Sequence, residues 1–289
     1  MKESFSIKKI FEDVPKKELG HNRHVLDFSL DDKDFILKET GGSATVEEVE
    51  SLKFLNGLGI AENLLAYDND RTLAIEKIDG DRFYDAKDSL IEDSFFKKEE
   101  ENIEKKFKFK QTKRITLDDR ALIEDKNVRK FCVDYLSKMF FMILNGLIHN
   151  DLKSDNIMVD KNGRIIFIDF GQARILNYSN QIRSIGNDLQ LGFSLLENFN
   201  SIFRFLSKEF NSPVSETTTK FFSLVDTVYK KFIEDKIKLC DRPFILEEEI
   251  SKQPDFFLNI FISLGIPLEI STEINDKILD LIKQYLHKD

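Results

Sequence analysis

Tryptophan is absent from this chain of 289 residues, and cysteine occurs only at Cys132 and Cys240. Two isolated cysteines lack metal-ligand spacing, which excludes a cysteine-based metal site. They read as small apolar groups, and their low number suits a reducing compartment. No stretch is long and uncharged enough for a membrane span. The longest candidate, 133–148, carries Asp134 and Lys138. Its apolar positions Val133, Leu136, Phe140, Ile143 and Leu147 follow helical spacing, so it predicts a buried helix. Met1-Lys2-Glu3-Ser4-Phe5-Ser6 is followed by no apolar run of signal-peptide type. A cytoplasmic, intracellular location is the expectation, with delivery into another cell left open. Positive charge is in deficit: the net charge is −9, which opposes non-specific nucleic-acid binding. No internal repeat occurs.

What is present includes 41% hydrophobic residues and 27 phenylalanines, enough for a substantial core divided into two lobes. One stretch stands against the acidic balance. Residues 97–114 hold eight basic and four acidic side chains. Their second half, Lys105-Lys106-Phe107-Lys108-Phe109-Lys110-Gln111-Thr112-Lys113-Arg114, interleaves aromatics with cations. It reads as a solvated charged insertion (about 93–116) that offers a docking strip for an anionic partner.

Chemistry concentrates in LIHNDLKSDNIMVDKNGRIIFIDFGQAR, residues 147–174. Asp151 is followed by Lys153, Asn156 and then Asp169. Asn156 to Val159 reads as a strand, Asp160-Lys161-Asn162-Gly163 as a hairpin turn and Arg164 to Ile168 as the returning strand. Folding back brings Asn156 and Asp169 together, where they can share a cation. Gly171 is expected to supply a backbone angle that other residues avoid. Phosphoryl transfer from a magnesium nucleotide needs such groups: a carboxylate to orient the attacking hydroxyl, and oxygen ligands to hold Mg²⁺ against the phosphates.

His149-Asn150-Asp151-Leu152-Lys153-Ser154-Asp155-Asn156 resembles the catalytic loop of the protein-kinase-like superfamily, and Asp169-Phe170-Gly171 resembles its metal-binding motif. The resemblance implies an α+β fold of two lobes, a small antiparallel β-sheet lobe (about 1–79) and a larger, mainly helical lobe (80–289). It implies ATP and Mg²⁺ as cofactors. Asp151 would be the catalytic base, Lys153 a contact to the transferred phosphate, Asn156 and Asp169 the metal ligands, and His149 a structural residue near Phe170.

The same resemblance calls for a strand lysine and a helix glutamate upstream. Val25 to Leu30 and Phe35 to Lys38 read as a hairpin, with Lys38 at the strand end. Thr45 and Glu48 have capping-box spacing for a helix running to about Asn56 and burying Val49, Leu52 and Leu55. Lys38 would contact the nucleotide phosphates and pair with Glu48, with Glu47 and Glu50 as rivals. Leu64 to Tyr67 and Thr72 to Ile75 read as strands leading to Glu76-Lys77-Ile78-Asp79-Gly80. In the resembling family this is the hinge, where backbone groups of Glu76 and Ile78 meet the adenine edge and Met158 forms the apolar floor. A G-x-G-x-x-G phosphate loop is lacking: the corresponding segment has only Gly20, so fewer backbone N–H groups can approach phosphate.

Downstream, Asp188 resembles the aspartate that bonds back to the catalytic-loop backbone, an ordinary helix cap being the alternative. Only sixteen residues separate Gly171 from Asp188, no A-P-E motif follows, and Asn150 stands where an arginine would read activation-loop phosphate. The C-terminal third reads as helical, with stripes at Phe221, Val225, Val228, Phe232 and at Ile278, Leu281, Ile282, Tyr285. Asp-Leu-Lys order resembles serine/threonine protein kinases, which makes a protein hydroxyl the expected acceptor. The short activation segment and sparse glycine resemble aminoglycoside-, lipopolysaccharide- and RIO-type kinases, leaving a small-molecule or glycan acceptor as the alternative. A nucleotide-binding pseudokinase scaffold is the remaining one.

Overall fold

The computed structural model describes residues 17–18, 25–30, 33–39, 44–67, 72–83, 126–175, 188, 256–263 and 266–287. The segment around Gly20, the basic strip 105–114, the stretch 189–199, the stripe 221–232 and Cys240 lie outside them. So does Gly41-Gly42-Ser43.

The N-terminal part is an antiparallel sheet of β1 (Lys17–Glu18), β2 (Val25–Leu30), β3 (Lys33–Glu39), β4 (Leu64–Tyr67) and β5 (Thr72–Glu76), ordered β1-β2-β3-β5-β4. In β5, Thr72, Leu73, Ala74 and Ile75 are all buried. That continuous buried run fits a strand flanked on both sides and covered on both faces. β2 and β3 pair from Val25↔Lys38 to Leu30↔Lys33, so β3 begins two residues ahead of the expected Phe35.

Helix α1 (Ala44–Leu55) follows β3 and packs through Val49, Leu52 and Leu55, each at most 5% exposed. It starts at Ala44, so Thr45 lies inside its first turn instead of capping it. The Glu48 carboxylate does not turn back towards a cap either, because it is committed to Lys38. After α1, Gly57 and Gly59 take left-handed φ values of 78° and 63°. The chain then runs against the C-terminal part: Phe167 N–H donates to the Ile60 carbonyl at 2.8 Å, and Ala61 bridges Phe167 in parallel.

The residues Lys77–Asp79 lead from β5 to β6 (Gly80–Arg82), which joins β8 (Ile157–Asp160) and β9 (Ile165–Phe167) in the order β6-β8-β9. The β8–β9 turn is built by its own side chains. Gly163 has φ 74°, and the Asp160 carboxylate accepts the N–H groups of Asn162 and Arg164 at 2.9 and 2.8 Å. This is Asx-turn chemistry at the expected Asn-Gly position. The strands are displaced from expectation: Asn156 ends a single 3₁₀ turn, and β8 begins at Ile157.

Helix α2 (Lys126–Leu144) begins seven residues before the expected Val133 and stops before Leu147. Gly146, at φ 72°, closes it with its N–H on the Ile143 carbonyl at 2.9 Å, a left-handed C-terminal cap. Leu147 and Ile148, read as the end of this helix, form instead strand β7 (Leu147–Ile148), paired with β10 (Arg174–Ile175). α3 (Phe256–Ser263) and α4 (Leu268–Leu286) complete the described residues. α4 buries Ile270, Ile274, Ile278, Leu281 and Ile282 at helical spacing.

The core runs from α1 into α2 and α4. Phe54 lies 6.1 Å from Phe141 and 5.1 Å from Tyr285, centroid to centroid, and Tyr135 meets Phe167 edge-on at 5.5 Å. A buried polar network ties three elements together. Asp134 accepts from Lys138 at 3.0 Å, from Lys277 of α4 at 2.5 Å and from the Ile165 N–H of β9 at 2.8 Å. Lys138 also donates to the Ile165 carbonyl at 2.6 Å. Each buried charge has a counter-charge and hydrogen bonds, the condition under which burial is tolerable. Among the described residues no helix is long and apolar enough to cross a membrane.

Candidate active site

Lys38 ends the useful part of β3 and projects towards α1. Its Nζ donates to Glu48 Oε1 at 2.8 Å and to Asp169 Oδ1 at 2.6 Å. Of the candidate glutamates, Glu47 is exposed and Glu50 pairs with Lys53 at 2.8 Å. Glu48 is 1% exposed and Lys38 20%. Burial works against the ammonium of Lys38, but the two carboxylates outweigh it and raise its pKa. Burial likewise opposes the charged form of Asp169, yet Lys38 holds that carboxyl below its ordinary value.

Asp151 lies between two donors. Lys153 Nζ and Asn156 Nδ2 each reach its Oδ2 at 2.8 Å, and Asn156 Nδ2 also donates to the Asp151 carbonyl at 2.9 Å. Asn156 is thereby fixed as a buried side chain whose nitrogen is spent on Asp151, leaving its oxygen for a ligand. Ile168 N–H donates to the Asn156 carbonyl at 2.9 Å, so Asp169 follows the residue paired with Asn156. The hairpin thus brings the two ends of the motif together.

The unusual backbone angle falls on Asp169, with φ 62° and ψ 65°, and on Asn150, with φ 63°. Gly171 does not carry it. Its role is spatial: a Cβ there would sit 3.3 Å from Asp169 Oδ1 and 3.6 Å from Lys38 Nζ. The left-handed Asp169 is held from several sides, as a strained non-glycine residue must be. His149 is fully buried, 4.6 Å from the Phe170 ring, with Nε2 2.9 Å from the Ile168 carbonyl. Its burial pushes the imidazole pKa down to about 4, so it is neutral at pH 7 and donates from Nε2 to that carbonyl. Asp188 accepts the backbone N–H groups of His149 and Asn150, both at 2.7 Å. Among the described residues, Asp188 anchors the loop in this way.

Glu76 is the last residue of β5, Ile78 lies in the connection to β6, and Met158 lies on β8 opposite Arg82 and Ile166. Ile157 and Val159 are buried and Met158 half-buried, so strand alternation sets Met158 on the other face. A 310 Å³ cleft beside the connection is lined by Asn63, Glu76, Asp160, Lys161 and Arg164 among others. Neither Lys38, Asp151 nor Asp169 lines it.

Sequence reasoning missed Glu62. It is 4% exposed, and its Oε1 accepts the Asp169 N–H at 3.4 Å. Burial pushes its carboxyl up to about 7. The available signal was a carboxylate in a short link set between the apolar Ile60-Ala61 and Leu64.

The donor set suits the metal that the motif implies. Asp169 offers a half-exposed carboxylate and Asn156 an amide oxygen, hard ligands of the kind Mg²⁺ takes in small number beside water and phosphate. Among the described residues no group of three or more His, Cys, Asp or Glu forms a metal site by itself. An ion held partly by nucleotide oxygens needs none.

A small antiparallel sheet with one helix, joined by a short connection to a helical part that carries the catalytic-type loop, is the two-lobed α+β fold of the protein-kinase-like superfamily. The protein kinase domain model matches residues 93–289, and the chain belongs to that family. Similar proteins include protein kinase kin1 of Schizosaccharomyces pombe, 31% identical over 67 residues (23% of this chain and 8% of that protein). Cyclin-dependent kinase 4 of Mus musculus is 38% identical over 53 residues, 18% of each chain. Serine/threonine-protein kinase PKH2 of Candida albicans is 40% identical over 58 residues, 20% of this chain and 6% of that protein. The aligned stretches therefore span under a fifth of these relatives' lengths.

Proposed function

We propose that this chain is an ATP- and Mg²⁺-dependent kinase that moves the γ-phosphate to a serine or threonine hydroxyl of a protein. The observation that carries the reading is the Lys38 ammonium bonded at once to Glu48 and Asp169, which ties sheet, helix and metal motif at one point. In a nucleotide complex, Lys38 clamps phosphate oxygens while Glu48 keeps it in place. Asp151 orients the acceptor hydroxyl and takes its proton. Lys153, half-exposed and bonded to Asp151, balances charge on the transferred group. Asn156 and Asp169 would hold Mg²⁺, which when bound would supply positive charge beside the phosphate oxygens. Backbone groups of Glu76 and Ile78 would bind the adenine edge, and Met158 would supply an apolar surface for the ring. The lobe boundary falls at 79–80, within the Lys77–Asp79 connection and β6.

The protein acceptor is supported by the Asp151-Leu152-Lys153 order and by relatives whose names include serine/threonine-protein kinase. The sixteen-residue interval from Gly171 to Asp188 favours a second reading, a small-molecule or glycan acceptor, because it leaves little chain for a peptide platform. Incubating the protein with γ-labelled ATP and Mg²⁺ in a lysate, beside Asp151→Ala, separates the two. Label in protein serine or threonine that requires Asp151 supports the proposal. Label confined to glycans or metabolites selects the second reading. Nucleotide binding without Asp151-dependent label anywhere removes the enzymatic reading and leaves a pseudokinase scaffold.

A further inference from the structure

The peptide plane joining Ile168 to Asp169 is gripped at both polar ends by buried side chains from different parts of the fold. Its carbonyl accepts from His149 Nε2 at 2.9 Å, and its N–H points to Glu62 Oε1 at 3.4 Å. The second grip comes from the N-terminal part. Phe167 N–H on the Ile60 carbonyl and the Ala61–Phe167 bridge hold the 60–62 segment alongside β9, and that pairing brings Glu62 opposite Asp169. We propose that Glu62 is a positioning residue for Asp169, its carboxylate fixing the peptide whose left-handed conformation aims the metal-binding side chain.

A buried carboxylate is a costly acceptor. Its other oxygen, Oε2, is buried without a hydrogen-bond partner among the described residues. A neutral side chain or an apolar residue would fill the same place at lower cost. What the side chain adds is an acceptor oxygen for one particular N–H, at 3.4 Å. That N–H belongs to a residue with φ 62°, a conformation that persists in a non-glycine residue only where its surroundings impose it. Lys38 holds the Asp169 side chain, while Glu62 and His149 hold its peptide. Turning that plane would swing the carboxylate away from its partner Lys38.

The inference rests on the kinase reading for its consequence but not for its geometry, and the test separates the two. The Asp169 amide is observed by NMR in nucleotide-free wild type, Glu62→Gln and Glu62→Met, with the Ile168 amide as internal control because it bonds Asn156. The Asp169 proton moves in both variants, further in Glu62→Met, where its exchange with solvent rises about tenfold or more through loss of the acceptor. Calorimetry of ADP with and without Mg²⁺ gives the consequence. The gain in affinity conferred by Mg²⁺ falls about tenfold in Glu62→Met and stays within about threefold of wild type in Glu62→Gln, which keeps an acceptor oxygen. An Asp169 amide unmoved in Glu62→Gln overturns the proposal even if Glu62→Met does not fold. Equal Mg²⁺ gains in all three proteins also overturn it. A wild type that gains nothing from Mg²⁺ refutes the kinase reading and leaves the amide result to stand or fall alone.

Discussion

Replacing Lys38 by Met removes the counter-charge of Glu48, a carboxylate only 1% exposed and bonded to Lys38 at 2.8 Å. The orphaned Glu48 has two choices, a buried negative charge or a proton. Protonating an ordinary glutamate at pH 7 costs about 4 kcal/mol, which caps the penalty. Lys38 is itself one-fifth exposed and solvent already screens part of the pair, so a loss of about 2–4 kcal/mol is expected. The orphaned carboxyl has a raised folded-state pKa, so the penalty grows as pH rises above about 4.3 and shrinks to about 1 kcal/mol near pH 5. Adding Glu48→Leu removes the stranded group, and the double variant regains at least half the loss. It does not regain nucleotide binding, since the phosphate clamp is gone. Urea unfolding followed by far-UV circular dichroism at pH 5 and pH 7 suits a protein without tryptophan. A Lys38→Met protein no less stable at pH 7 than the double variant would refute the reasoning.

His149 is depressed to about 4 in the folded chain against about 6.5 unfolded, so the unfolded state binds more protons between those values. Its contribution is whole above pH 6.5 and falls by about 3 kcal/mol as pH drops to 4. Glu62 and Asp188, both pushed up to about 7 by burial, act in the opposite sense over part of that window. The effect is therefore read as the difference between wild type and His149→Gln in unfolding free energy, which changes sign of slope if His149 is protonated when folded. Gly80→Ala would place a Cβ 2.2 Å from the Val159 carbonyl oxygen, a backbone atom that cannot yield. A loss of about 2 kcal/mol or more in urea is expected, through separation of β6 from β8. Asp188→Asn replaces one of two carboxylate acceptors with an amide NH₂ that faces an N–H. A loss of about 2 kcal/mol is expected, with faster hydrogen exchange at His149 or Asn150.

What the sequence made legible was local and carried by side-chain type. The Asn162-Gly163 turn, the Lys38 strand and the Val49-Leu52-Leu55 stripe follow from turn chemistry and periodicity, and each lies within a residue or two of its expected place. Periodicity failed where one residue outweighed it. The apolar pattern of 133–148 continues past Leu144, but Gly146 can take φ 72° and the chain turns into a strand. Glycine tolerates a left-handed angle best, which points to Gly171. Tertiary contacts force it onto Asp169 instead and use the glycine for space. Glu62 and the links from Asp134 to Ile165 and Lys277 depend on partners 107 and 31 residues or more away, and no local pattern reports such distances.

The central claim, that Asp169 and Asn156 hold a metal against a triphosphate beside Asp151, is tested most directly by calorimetric titration of ATP with and without Mg²⁺. Wild type should bind ATP at least about tenfold more tightly with Mg²⁺, and Asp169→Ala and Asn156→Ala should lose that gain while retaining metal-free binding. An undiminished Mg²⁺ gain in both variants would contradict the account.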